Sequence, residues 1–278
     1  MRFGGILALN NVNFEVKRHS ITALIGPNGA GKTTVFNCIT GFYQATEGNI
    51  QLHRRGGTVE IGKILGEACV ASDFLNPVRL SDRLYYKIWG GSYQVARAGI
   101  ARTFQNIRLF NDMTVLENLL VAQHRLVKTN LLSGLFNTKA YRRAEEAAIE
   151  RSYDWLKVFG LAASANRLAG ELPYGHQRRL EIARAMCTEP LMICLDEPAA
   201  GLNPNETREL VELIRLLRDE HEVTIVLIEH DMSLVMDISE HIIVLDYGEV
   251  IAEGGPAAIK TNPLVLAAYL GVDEEEPA

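Results

Sequence analysis

The stretch Gly26-Pro27-Asn28-Gly29-Ala30-Gly31-Lys32-Thr33-Thr34 directly follows the largely apolar run Ile21–Ile25. An apolar run of this length before a glycine-rich turn indicates a buried strand. Glycines allow the backbone to curl closely around phosphate oxygens and to point several N–H groups inward. The segment from Lys32 to about Ile39 should form a helix, whose exposed amides and dipole favour an anion at its start. The sequence therefore predicts a phosphate-binding turn between a strand and a helix.

Four positions of this turn, Gly26, Gly31, Lys32 and Thr33, match the spacing of a P-loop. Lys32 is expected to reach the β- and γ-phosphates of a nucleotide, and the Thr33 hydroxyl to bind Mg²⁺, a hard ion that takes oxygen ligands. The candidate nucleotide contacts are Gly26, Pro27, Asn28, Gly29, Ala30, Gly31, Lys32, Thr33 and Thr34. The alternative is a glycine-rich turn without a ligand, which a second, acidic motif argues against.

The acidic motif Asp196-Glu197 follows the uninterrupted apolar run Leu191–Leu195. A run without alternation indicates a strand buried on both faces, as in a parallel sheet, whose carboxyl edge is where such sheets bind ligands. Asp196 is expected to hold Mg²⁺ through a water, and Glu197 to accept a proton from the water that attacks the γ-phosphate. The alternative is a solvated strand end.

Two further strands are expected to deliver polar residues to the same edge. Val223–Ile228 repeats the buried pattern and leads to His230, a candidate contact of the γ-phosphate. Ile100–Phe104 leads to Gln105, a candidate sensor of both the metal and the attacking water. Phosphoryl transfer needs positioning and charge neutralisation more than covalent help, so these residues suit one crevice. Taken alone, His230 is equally consistent with a core histidine, and Gln105 with an ordinary polar residue.

The rest of the chain is expected to frame these strands. Alternation in Leu7–Val16 predicts strands with one buried face, and Ile242–Ile251 is typical of a hairpin. Helical periodicity over 115–160 predicts a helical lobe. The fold class is therefore α/β, with a parallel-sheet core, an antiparallel β edge and an inserted α-helical lobe. The predicted divisions are a core at 1–105 with an insertion at 53–98, the lobe at 106–170, the core again at 171–260, and a C-terminal segment at 261–278.

Smaller features carry further expectations. Leu172–Gln177 is expected to open a helix over Arg178–Met186, and the helix over 204–217 to be capped by Asn203 or Asn205. Phe3 is placed where an aromatic ring could stack on a purine base, or it packs as an ordinary terminal phenylalanine. The aromatic cluster Tyr85–Trp89 is either a partner-binding patch or an anchor for the insertion.

Composition excludes several classes. With 278 residues there is room for one large α/β domain or two lobes, and the net charge of -6 provides no basic field for nucleic acid. Apolar runs stay well below the roughly 18 to 20 residues that a membrane-spanning helix requires, and the first residues do not form an export signal. The 4 cysteines are scattered without metal-binding spacing, so reduced thiols are expected. The chain is expected to work in the cytoplasm.

The order of these motifs resembles the nucleotide-binding subunit of ABC transporters. The matching segments are the Walker A loop at Gly26–Thr34, a Q-loop at Gln105, a signature-like Leu172–Gln177, a Walker B strand ending in Asp196-Glu197, a D-loop-like Ala200–Asn203 and a switch His230. More narrowly, three stretches look like the ATP-binding subunit of branched-chain amino acid importers: Ile100–Gln105, Tyr174-Gly175 with Gln177–Arg184, and Ala199–Asn203.

The resemblance implies an ATPase that uses ATP and Mg²⁺ and lies on the cytoplasmic face of the inner membrane. Two such subunits, a related chain or a second copy, would close head to tail around two ATP molecules and reopen after hydrolysis. The helical lobe would pass this motion to membrane-spanning permease subunits, which receive solute from a substrate-binding protein.

The signature departs from the family pattern. Tyr174 and Gly175 are implied contacts of the γ-phosphate bound to the opposite subunit. Pro173 replaces the serine and supplies neither a hydroxyl nor an N–H, so the contact must rely on Gly175 and nearby backbone donors. His176 and the D-loop Asn203 also differ from the usual residues.

Three alternatives remain open from the residues alone. The same subunit could serve another cargo, such as urea, short amides or exported lipopolysaccharide, because it does not contact the solute. A soluble ABC ATPase acting on DNA or ribosomes would be expected to carry basic surfaces, paired cassettes or coiled-coil inserts. A P-loop kinase would leave the segment Tyr174–Gln177 and His230 unexplained.

Overall fold

The computed structural model describes residues 1–66, 90–125 and 138–270. The predicted aromatic cluster Tyr85–Trp89, Cys69 and the acidic tail lie outside the described residues. The strands are β1 Arg2–Phe3, β2 Ile6–Leu7, β3 Ile21–Ile25, β4 Gln51–Arg54, β5 Gly57–Glu60, β6 Ile100–Arg102, β7 Met192–Asp196, β8 Thr224–Ile228, β9 His241–Asp246 and β10 Glu249–Gly254. The helices are α1 Lys32–Ile39, α2 Ile61–Ile64, α3 Ser92–Ala98, α4 Val115–Ala122, α5 Lys139–Val158, α6 Tyr174–Met186, α7 Pro204–Asp219, α8 Met232–Ile238, α9 Pro256–Lys260 and α10 Pro263–Leu270.

The chain forms two compact units. One comprises Met1–Ile100 together with the chain from Thr224 onward, and the other comprises Ala101–Val223. The division at residues 105, 170 and 260 that the sequence suggests stays a prediction.

The first unit is built on a mixed sheet around β3. β3 runs parallel to β8, with Ile21 opposite Ile225, and parallel to β9, with Ile25 opposite Val244. β10 completes the edge antiparallel to β9 after the turn at Tyr247, so the predicted hairpin is confirmed. All residues of β3 and β8 are buried, as the unbroken apolar runs predict. Because neighbouring parallel strands end on the same side, β3 and β8 deliver their following loops to one edge of the sheet.

The prediction of strands across Leu7–Val16 is wrong beyond Leu7. The structure has only the short exposed hairpin of β1 and β2 there, and residues 8–17 form no strand. Asn11 adopts φ 47°, and the Asn13 side chain donates to its carbonyl at 2.9 Å. Asparagine favours such local bonds over a strand ladder, which explains why the alternation misled.

The second unit contains the helices of the predicted lobe beside two neighbouring strands, β6 and β7. α4, α5 and α6 pack on one another through buried residues that include Leu119, Leu156 and Leu180. α4 begins with a capping box in which the Thr114 hydroxyl accepts from the Glu117 N–H, while Glu117 accepts from the Thr114 N–H. The apolar residues behind the helical periodicity over 115–160 therefore belong to the core.

Two helix starts are now defined. α6 begins at Tyr174 and not at Arg178, because Pro173 takes the N-cap position and the signature residues form the first turn. α7 is capped by Asn203, whose side chain accepts from the amides of Asn205 and Glu206 at 2.9 and 3.0 Å. The choice between Asn203 and Asn205 is thus settled in favour of the first.

Candidate functional site

The turn Gly26–Thr34 joins β3 to α1 in a conformation that requires glycine. Gly26, Gly29 and Gly31 have φ values of 148°, 84° and 100°, where L side chains are strained. A Cβ built on Gly26 would lie 2.0 Å from the Leu245 carbonyl oxygen, and one built on Gly31 would lie 2.7 Å from Leu9 Cδ2. The backbone at Gly26 and Gly31 therefore packs too closely against its neighbours to admit a side chain, as expected for a loop that wraps around phosphate. The start of α1 has no side-chain cap, which leaves its amides open to an anion.

Two backbone carbonyls of the turn hold the Lys32 ammonium group in place. Its ammonium group donates to the carbonyls of Gly26 and Pro27 at 2.7 and 2.8 Å, and the residue is 7% exposed. A buried ammonium needs such partners, since a charge without them is costly away from water. The positive charge is thus positioned in the cradle.

His230 emerges at the same sheet edge as the turn. It follows β8, the parallel neighbour of β3, and is exposed, so the reading as a buried core histidine is wrong. The backbone N–H of His230 donates to the carboxylate of Glu229, which is 4% exposed, at 3.2 Å. Glu229 is therefore a buried support for the loop that carries His230.

Two aromatic residues of the first unit, Phe3 and Tyr269, have defined surroundings. Phe3 is 41% exposed and meets Tyr43 edge to face, with the ring centroids 5.2 Å apart. Its ring is therefore partly free for stacking. Tyr269 in α10 was not predicted from the sequence. Burial raises the pKa of the Tyr269 hydroxyl, and the Gly26 backbone N–H partly opposes the rise.

In the second unit, the acidic motif contacts the end of β6 and the residues that follow it. Gln105 donates through Nε2 to Glu197 at 2.8 Å, which brings together two residues that the sequence predicted separately. The Arg102 guanidinium pairs with Asp196 at 2.7 Å, with side-chain exposures of 7% and 8%. Arg102 was not predicted as a site residue, although a charged residue at the end of the otherwise apolar β6 was a signal.

The signature residues lie in the first turn of α6. Gly175 is buried, and a Cβ built there would lie 2.5 Å from Glu206 Oε1. Tyr174 is 45% exposed, and its ring lies 3.1 Å from the position of a Cβ built on Gly201. A larger residue at Gly175 or Gly201 would therefore disturb the signature and the D-loop together. Pro173 makes no side-chain capping bond, as its lack of a hydroxyl predicts.

The proposed Mg²⁺ ligands fit the ion by chemistry. Thr33, Asp196 and Gln105 offer a hydroxyl, a carboxylate and a carboxamide, which are hard oxygen donors. In the described ranges, no three His, Cys, Asp or Glu residues form a metal-binding group. Within those same residues, no helix combines the length and the apolar character that crossing a bilayer takes.

Comparison with known families identifies the chain. A model described as "ABC transporter" matches residues 9–200. The chain belongs to the ABC transporter ATP-binding subunits. A second model, "Branched-chain amino acid ATP-binding cassette transporter", matches residues 249–275 and places this ABC subunit in the branched-chain amino acid group. The predictions of family, α/β ABC ATPase fold and ATP-hydrolysing activity are therefore confirmed.

Individual relatives agree with this assignment. The chain is 52% identical to two high-affinity branched-chain amino acid transport ATP-binding proteins, BraF of Pseudomonas aeruginosa and LivG of Escherichia coli K12. Each alignment spans 271 residues, which is 98% of this chain and 94% of the relative. A nucleotide-free ATP-binding cassette of an ABC transporter superimposes with a TM-score of 0.73 at 31% identity, covering 97% of this chain and 95% of that one. A dimeric bacterial cassette gives a TM-score of 0.65 at 26% identity, with 90% of both chains covered.

Proposed function

We propose that this ATPase powers the import of branched-chain amino acids by ATP-driven closure of a cassette dimer. The observation that carries the cargo assignment is the full-length similarity to BraF and LivG, which are named for branched-chain amino acid transport, together with the matching C-terminal segment. Closure is a population shift, since ATP that binds the closed state more tightly favours that state.

Binding of the triphosphate is assigned to the glycine-rich turn and α1. Lys32 leaves the carbonyls of Gly26 and Pro27 to reach the β- and γ-phosphates, and the N–H groups at the start of α1 donate hydrogen bonds to phosphate oxygens. His230 contacts the γ-phosphate from the end of β8. Phe3 stacks on the base with its exposed ring.

Hydrolysis is assigned to the acidic motif. Glu197 accepts the proton of the attacking water, and Gln105 orients that water through the hydrogen bond it makes to Glu197. Thr33, Asp196 and Gln105 would hold Mg²⁺, which neutralises charge on the β- and γ-phosphate oxygens when bound. Tyr174 and Gly175 contact the γ-phosphate of the ATP held by the opposite subunit.

The assembly that follows from this function has three kinds of component. Two ATPase subunits, this chain with a related chain or with a second copy, lie peripherally on the cytoplasmic face of the inner membrane. They drive permease subunits that span the membrane, and a substrate-binding protein delivers the solute. The cassette dimer among solved relatives supports pairing of such subunits.

The hydrolytic role is tested with Glu197→Gln. This variant should bind ATP, lose turnover and accumulate as an ATP-bound dimer, measured by phosphate release and by size-exclusion chromatography with ATP. Glu212→Gln, an exposed change on α7, is the matched control and should behave as wild type. Hydrolysis by Glu197→Gln at the wild-type rate would show that the base has been assigned to the wrong residue.

The cargo is tested in the assembled membrane complex. ATP turnover by the purified complex in vesicles should rise when its binding protein carries leucine, isoleucine or valine. Stimulation by urea or a short amide, with no response to the three amino acids, would overturn the cargo assignment and leave the ATPase assignment intact.

A further inference from the structure

A buried ion pair in α6 holds the main chain on both sides of Gln105. Arg178 and Glu181 are 0% and 2% exposed, and Arg178 Nη1 donates to Glu181 Oε2 at 2.8 Å. Both residues also hydrogen-bond to the loop that follows β6. Arg178 donates to the carbonyls of Phe104 and Gln105, both at 2.7 Å. Glu181 Oε1 accepts from the backbone N–H of Arg108 at 3.1 Å and of Phe104 at 3.5 Å.

Packing alone does not require this arrangement. Burying two charges carries a desolvation cost, and an apolar pair of similar volume is often as stable or more stable. Burial raises the pKa of the Glu181 carboxyl, an effect that Arg178 opposes first and the two backbone hydrogen bonds next. An apolar pair could not form hydrogen bonds to two carbonyls and two N–H groups of one loop. The charges therefore fix the course of the chain over 104–108.

The loop connects two parts of the proposed machinery. At one end of the network, the Gln105 side chain donates to Glu197. At the other end, Arg178 lies one helical turn after Tyr174, and its guanidinium is 3.5 Å from the Tyr174 hydroxyl. A movement of the signature turn would therefore carry the Gln105 main chain with it.

We propose that Arg178 and Glu181 act as positioning residues, a clamp that keeps Gln105 on Glu197 and ties its position to the signature helix. This inference rests on the role proposed above for Gln105. Neither residue needs to contact nucleotide, since both act through the loop backbone.

The clamp is tested first without nucleotide, by amide hydrogen exchange in the full chain. The variant Arg178→Met/Glu181→Leu removes both charges and avoids leaving one buried alone, which would threaten folding. With an unchanged circular dichroism spectrum, exchange at Arg108 should accelerate about 10- to 100-fold, the range for losing a hydrogen bond to a charged acceptor. Arg179→Gln, which removes the neighbouring guanidinium that pairs with Glu209, is the control and should leave this exchange unchanged. Unchanged exchange in the folded double variant would overturn the clamp.

The second measurement separates positioning from stability. In steady-state ATPase assays, the double variant should lower kcat on the order of tenfold, the scale of a modest misplacement of a reacting group, and change KM for ATP less than about twofold. Arg178→Lys should give an intermediate kcat, because a single ammonium cannot reproduce the two-pronged guanidinium contact. Faster exchange with a wild-type kcat would overturn the positioning role. A wild-type kcat in Gln105→Ala would instead refute the proposed role of Gln105, while the exchange result would still decide whether the clamp exists.

Discussion

Gly26 is the position where one added methyl group should most disturb the phosphate cradle. A Cβ there would lie 2.0 Å from the oxygen and 3.0 Å from the carbon of the Leu245 carbonyl, far inside the ~3.5 Å of ordinary contact. Leu245 belongs to β9, whose pairing with β3 prevents it from moving away. Overpacking costs about 1–3 kcal/mol, and a side chain in a sparsely populated backbone region costs about 1–3 kcal/mol more. Gly26→Ala should therefore lose about 2–6 kcal/mol of stability.

Gly29→Ala is the matched control, because it isolates the backbone cost. Its φ is 84°, but a Cβ there meets no atom within 4 Å. At about 2–4 °C per kcal/mol, Gly26→Ala should melt roughly 2–12 °C below Gly29→Ala. Thermal unfolding gives this difference, and titration with a fluorescent ATP analogue should show the weaker binding in Gly26→Ala, since the carbonyls that hold Lys32 are displaced. Equal melting temperatures in the two variants would refute the steric argument.

Three further changes test other parts of the chain. Lys32→Ala should weaken ATP binding about a hundredfold or more in the same titration, since each charge-assisted hydrogen bond contributes about 1.5–3 kcal/mol; near-normal affinity would exclude Lys32 as a phosphate ligand. Asn203→Ala should cost about 1 kcal/mol by thermal unfolding while Asn203→Asp keeps the cap, and equal losses would contradict the capping role. Pro173→Ser should raise ATPase activity above that of Pro173→Ala if the missing hydroxyl limits the site, whereas equal rates would mean that backbone donors suffice.

Local motifs made much of the architecture predictable. The glycine spacing and the apolar run before it defined β3, the turn and α1, because their chemistry is contained in one continuous stretch, Ile21–Ile39. The buried strands β7 and β8 followed from unbroken apolar runs for the same reason. The start of α6 was missed because proline, tyrosine and glycine are poor helix residues, although the first turn tolerates them.

Contacts between distant segments were beyond sequence reasoning. Arg102 and Asp196 are 94 positions apart, and Gln105 and Glu197 are 92 positions apart. The spacing of Arg178 and Glu181 by three positions would have suggested a pair on one helix face. It could not have shown that the pair is buried, since most such pairs are solvated.

The partners of Asp196 and Glu197 differ in a way that suits adjacent carboxylates with different tasks. Two negative charges on neighbouring residues repel, and burial strengthens that repulsion. Arg102 brings a full positive charge to Asp196, whereas Gln105 brings an amide dipole to Glu197. Both partners come from one short segment, so a single backbone path over 102–105 sets the two contacts. Pairing the buried Asp196 carboxylate with Arg102 relieves this repulsion. The segment from Arg102 to Gln105 therefore gives the two adjacent carboxylates partners of different charge.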